Sequence, residues 1–173
     1  GEGSTFTISL PWQPEAPAPE PTFIHGQTEA GPISAQETHQ RLETILLAED
    51  VELNIVTIGD YLESQGYHMI YALNGREAIE KARAHSPALI LMDVVLGYGA
   101  HPDPASELGP AIRKAKRIAN ENGGSLAVIV SLTGTEDDPQ NLSKQALALS
   151  EAGAVICPSN AAASRLAAAV VEE

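Results

Sequence analysis

From residue 41 onward, the polar and apolar positions of this chain fall into two alternating rhythms. Short apolar runs occur at 44–48 (TILLA), 67–73, 88–96 (ALILMDVVL), 126–132 and 154–157, and the stretches between them carry apolar residues every three or four positions. An unbroken apolar run of about four to eight residues predicts a strand buried on both faces, whereas the longer spacing predicts a helix with one buried stripe. The first helix so predicted is 53–65, with Val56, Ile58, Tyr61 and Leu62 inward and Gly66 as its stop. The second is 76–85, capped by Asn74, with Ala78, Ile79 and Ala82 inward. The third is 105–122, with Leu108, Ile112, Ala115 and Ile118 on one face; Gly109-Pro110 points to a late start there, because proline removes a helical donor. A helix at 139–151 turns Leu142, Ala146 and Leu149 inward, and an alanine-rich helix at 160–171 closes the pattern. Strands alternating with helices predict an α/β domain in three layers, a parallel sheet with helices on both faces.

The first forty residues read differently. In GEGSTFTISLP (1–11) a glycine-rich start leads into Phe6, Ile8 and Leu10 alternating with Thr5, Thr7 and Ser9, the pattern of a half-buried strand. Residues 12–40 carry Pro14, Pro17, Pro19, Pro21 and Pro32 among Ala, Glu and Gly, with no Lys or Arg. Such a segment buries too little apolar area to offset its ordering entropy, so a Pro-rich disordered linker is expected. The chain opens in mid-pattern, and a fragment of a longer protein is expected.

Composition narrows the function. A length of 173 residues suits one α/β domain with appendages. The chain is 43% apolar but only 4% aromatic, which favours helices packed on a sheet over an aromatic-cored sandwich. Its net charge of −13, with ten Lys and Arg against 23 Asp and Glu, argues against nucleic acid and against anionic membrane surfaces. No apolar run approaches the roughly 18 residues of a spanning helix. Cys157 is the only cysteine, so no intrachain disulfide forms, and a reducing, cytoplasmic location is expected.

The candidate chemistry is acidic. Glu49-Asp50 follows the first apolar run, and Asp93 ends the apolar stretch 88–92, which places it at the carboxyl end of its strand. Ligands of open α/β sheets bind at those ends. A pair of acids directly after a buried strand is more informative than a single one, since a solvated loop has no need to place charge there.

Three segments of this half, ILLAEDVELN (45–54), GYHMIYALNGREAIEKA (66–82) and PALILMDV (87–94), resemble the receiver domains of two-component signalling proteins. GEGSTFTISLP resembles the last glycine box and final strand of the ATP-binding domain of sensor histidine kinases. The order of the parts is that of hybrid sensor histidine kinases, and the resemblance spans about 1–95. It implies a kinase remnant at 1–11, a linker at 12–40, and a flavodoxin-like receiver domain at 41–171 with sheet order 2-1-3-4-5. It also implies that Asp93 accepts a phosphoryl group, that Glu49, Asp50, Asp93 and the main-chain carbonyl of Val95 hold Mg²⁺, and that the Thr133 hydroxyl contacts the phosphoryl group. The donor it implies is a histidine kinase or phosphotransfer domain.

Beyond Val95 this pattern stops. LGYGAHPDPA (96–105) and the segment 126–170 resemble instead the C-terminal ligase-type domain of FdrA-like acyl-CoA synthetases, relatives of succinyl-CoA synthetase. This second resemblance spans about 91–170, so the chain reads as a join within one strand: 41–95 of receiver type, 96–171 of CoA-ligase type. Pro158, Ser159 and Asn160 then stand where a receiver presents a lysine, and Lys144 lies in the preceding helix. Synthetase chemistry of this kind uses a phosphorylated histidine and a CoA site formed largely by regions outside this segment. His101 reads as a surface-loop residue, GTEDD (134–138) as a solvated acidic turn and Cys157 as a core residue. Three readings follow: a phosphoacceptor receiver module, a catalytically incomplete CoA-ligase-type domain, or a recombined or engineered chimera without native activity. None makes the segment an independent enzyme.

Overall fold

The computed structural model describes residues 43–170. The kinase-like strand at 1–11 and the linker at 12–40 lie outside the described residues. Five strands alternate with five helices: β1 (Thr44–Ala48), α1 (Glu52–Ser64), β2 (His68–Ala72), α2 (Gly75–His85), β3 (Leu89–Val95), α3 (Pro104–Glu121), β4 (Ala127–Thr133), α4 (Leu142–Glu151), β5 (Val155–Cys157) and α5 (Asn160–Val170). All pairings are parallel and the sheet order is β2-β1-β3-β4-β5, the flavodoxin-like arrangement expected.

Strand alternation divides the core. Ile45, Leu47, Leu89, Leu91, Ile129 and Cys157 point to one face, where α1 brings Ile58 and Leu62 and α5 brings Ala163, Ala167 and Ala168. Leu46, Ile90, Val128, Val130 and Leu132 point to the other, against Ala78 of α2, Ala105 and Ile112 of α3 and Leu149 of α4. The strands read as continuous apolar runs because both faces are covered.

Four local expectations change. Val56 is 51% exposed, Tyr61 37% and Ile79 45%, so α1 buries Ile58, Gly59 and Leu62, and α2 turns Ala78 and Ala82 inward instead. Helix α3 does not start late: it begins at Pro104 and runs through Pro110. Pro110 and Ser106, whose carbonyl loses its helical donor, both lie on the solvent side, where an unpaired carbonyl is not cut off from water. Helix α4 starts at Leu142 and not at 139, because Asn141 adopts a left-handed φ of 61° and its side chain accepts from the Lys144 N–H at 2.9 Å. Strand β3 does not stop at Asp93; Val94 and Val95 extend it and pair with Leu132 and Thr133 of β4. The Asn74 cap is as expected, its Oδ1 accepting from the Glu77 N–H at 3.0 Å.

Candidate functional site

The register assembles the site. Ala48 pairs with Met92, so Glu49 leaves β1 level with Asp93; Asp93 pairs with Ser131, and Ser131 with Cys157. These four residues form one row across the sheet, on the α1/α5 face, where the shortest central strand, β1, gives way to loop. On the β1 side Asp93 is therefore past the end of pairing, while on the β4 side it is still in the ladder.

Glu49 is 4% exposed and fully engaged: its Oε1 accepts from the Val51 N–H at 3.0 Å and its Oε2 from Asn54 Nδ2 at 3.2 Å. Val51 has no capping side chain, so this carboxylate serves the first turn of α1, where the helix dipole favours negative charge. Asp50 beside it is exposed. Asp93 differs from both. Its Oδ1 is buried without a hydrogen-bond partner, and the only other such atom among the described residues is the hydroxyl of its register neighbour Ser131, itself 0% exposed. Thr133 lies two residues further, exposed at the rim and paired with Val95.

The register also corrects the fifth strand. Cys157, and not Pro158–Asn160, stands in the row with Asp93 and Ser131; Asn160 already begins α5. Burial pushes the Cys157 thiol up, so it carries no charge at neutral pH. Lys144 is turned elsewhere, 3.8 Å from the Asp103 carboxylate.

The loop after β3 is held from below by two buried glutamines that the pattern of the sequence does not mark. Gln140 accepts from the Gly97 N–H at 3.1 Å and donates to the carbonyls of Gly97 and His101 at 2.8 and 3.0 Å. Gln145 accepts from the Ala105 N–H at 2.9 Å and donates to Asp103 Oδ1 at 3.1 Å, which with nearby Lys144 holds that carboxyl below its ordinary range. His101 accepts from the Asp103 N–H at 3.1 Å and faces Glu107 at 3.3 Å, with its ring 45% exposed. In the 134–138 turn, Asp138 accepts from the Thr135 N–H at 2.6 Å, and Glu136 accepts from the Ser143 N–H and hydroxyl of α4. These acids are spoken for by the backbone.

A scan of family models matches residues 35–170 to CoA-ligase. The chain belongs to the CoA-ligase family. Among proteins similar to this family member, YahF of Escherichia coli, itself uncharacterized, is 34% identical over 102 residues, 58% of this chain and 20% of YahF. The polar-differentiation response regulator DivK of Brucella anthropi is 44% identical over 54 residues, 31% of this chain and 44% of DivK. The chain thus spans a fifth of one relative and under half of the other. Among solved structures, a response regulator receiver protein from Pseudomonas putida is similar at a TM-score of 0.56 and 22% identity, covering 76% of this chain and 97% of the other. The Vibrio cholerae chemotaxis protein CheY4 is similar at 0.53 and 14%, with the same coverage. This CoA-ligase family chain therefore has the receiver fold, and both resemblances read from its sequence are found again.

Magnesium, the ion the receiver fold implies, suits the carboxylate oxygens left open at this end of the sheet: exposed Asp50, and Asp93, whose Oδ2 accepts no hydrogen bond among the described residues. Among the described residues no three His, Cys, Asp or Glu side chains gather to hold a metal. Mg²⁺ does not require three; it keeps several waters and takes one or two carboxylates with a phosphate. No helix among the described residues is long and apolar enough to cross a membrane.

Proposed function

We propose that this domain is a phosphoacceptor receiver module that takes a phosphoryl group on Asp93. The observation that carries the reading is the state of that carboxylate: it stands where β1 pairing ends, with one oxygen buried and unpartnered, in a row whose other acid is tied to the backbone. The other oxygen, Oδ2, makes no hydrogen bond among the described residues and serves as the nucleophile. Of Glu49, Asp50, Asp93 and the Val95 carbonyl, the last three are the oxygens that would hold Mg²⁺. An ion bound there would supply positive charge against the transferring phosphoryl group. Asp50 and Asp93 are the freer ligands, because Glu49 already accepts two hydrogen bonds. The Thr133 hydroxyl contacts the phosphoryl group from the rim, and a histidine kinase or phosphotransfer protein supplies it.

Cys157 brings no cation to the row, so the acyl phosphate lacks a direct ion pair, and charged hydrogen bonds of that kind contribute about 1.5–3 kcal/mol. Weak labelling by acetyl phosphate, dependent on Mg²⁺ and abolished by Asp93→Asn, is the expected result. Labelling that survives that substitution would place the chemistry elsewhere. Millimolar Mg²⁺ should raise the thermal midpoint, because it relieves repulsion among the acids, and Asp50→Asn should remove the gain.

The family match over 35–170 favours a second reading, a CoA-ligase-type domain that is catalytically incomplete in this segment. Calorimetry with CoA and with beryllofluoride plus Mg²⁺ separates the two, since CoA binding without beryllofluoride binding favours the ligase reading.

A further inference from the structure

The geometry points to Ser131 as a positioning residue for Asp93: its hydroxyl donates, directly or through one buried water, to Asp93 Oδ1 and so fixes Oδ2 as the oxygen presented at the open end of the sheet. This inference rests on the receiver reading for its consequence but not for its contact. The two buried polar side-chain atoms without partners among the described residues belong to neighbours in register, on the same face of adjacent strands. One is an obligate acceptor and the other a hydroxyl able to donate, so each supplies what the other lacks. Buried polar groups left apart in this way are as a rule joined, directly or by an ordered water. Ser131 is also the one polar residue in the run 126–132, where an apolar side chain would pack without penalty.

The consequence is directional. When a phosphodonor such as acetyl phosphate reacts, Asp93 Oδ2 bonds to phosphorus, the phosphorus–oxygen bond to acetate breaks, and acetate leaves with the electron pair. Oδ1 then becomes the carbonyl oxygen of the acyl phosphate, still facing Ser131. A carboxylate free to rotate would share the two roles between its oxygens; a donor behind Oδ1 removes that freedom.

The test uses the full chain and two readouts. In the unmodified protein, a double-mutant cycle of Ser131→Ala and Asp93→Ala should give thermal-midpoint shifts that fail to add, by several degrees. In acetyl phosphate labelling, Ser131→Ala should lower the saturating rate about tenfold, the scale of one hydrogen bond to a charged group, with the half-saturating concentration unchanged. Ser131→Thr should restore most of the rate. Ser164→Ala, which removes a buried serine already bonded to the Asn160 carbonyl, should leave labelling as it was. Additive midpoints, or full labelling in Ser131→Ala, overturn the inference. A coupled cycle in a protein that never labels on Asp93 overturns the receiver reading and leaves the contact standing.

Discussion

Tyr71 shows how closely single atoms are placed. Its hydroxyl donates to Glu63 at 2.9 Å, and burial together with the Glu63 carboxylate pushes its pKa up to about 12. A phenol held protonated in this way stabilises the fold fully below the ordinary tyrosine pKa of 10.0, and the contribution is lost as pH rises from there through about 12. Wild type should therefore lose stability relative to Tyr71→Phe across that window, measured by denaturant midpoints at stepped pH. The same hydroxyl explains Gly59, since a Cβ there would collide with it. Gly59→Ala gains about 1 kcal/mol of helix propensity and displaces a hydrogen bond of about 0.5–1.5 kcal/mol, so it should be near neutral. In the Tyr71→Phe background the propensity gain should emerge, offset only by ring carbons 3.1 Å away that must give by a few tenths of an ångström.

At the level of elements, all five strands were legible, because runs such as TILLA and LAVIVSL cannot be satisfied except between two helical layers. Helix limits were less so. Pro110 reads as a break, but the bond it removes lies on the solvent side of α3, and exposure is a tertiary fact. Pro110→Ala should accordingly raise the thermal midpoint, by up to about 3 kcal/mol of stability if nothing else moves. The carboxylates of the site were also legible from their place after apolar runs, whereas Ser131 and Cys157 entered only through the register, which pattern does not fix. The glutamine pair was invisible for a related reason: Gln140 and Gln145 look like surface helix residues until the 97–105 loop closes over them. Gln145→Met keeps the volume but leaves the Ala105 N–H unpaired. A loss of about 1–3 kcal/mol is expected, with faster amide exchange confined to 97–105.

For the whole molecule, the two halves that resemble different families are not two bodies. The seven-residue β3–β4 ladder joins them edge to edge, and α5, from the second half, shares one core with Ile45, Leu47, Leu89 and Leu91 of the first. A heat-unfolding experiment with one probe in each half should give coincident transitions. The hydrogen bond from Tyr67 to the Ala168 carbonyl, at 2.5 Å, ties residues 101 positions apart. On a ribosome, that distance is time. At roughly 5–20 residues per second, the apolar face of β1 and β3 waits several seconds, after it has been made, for the second of the two helices that shield it. During that interval α1 alone is available to cover Leu47 and Leu91, so the exposure of this apolar face in the growing chain ends with the last helix and not with the strands that begin the domain.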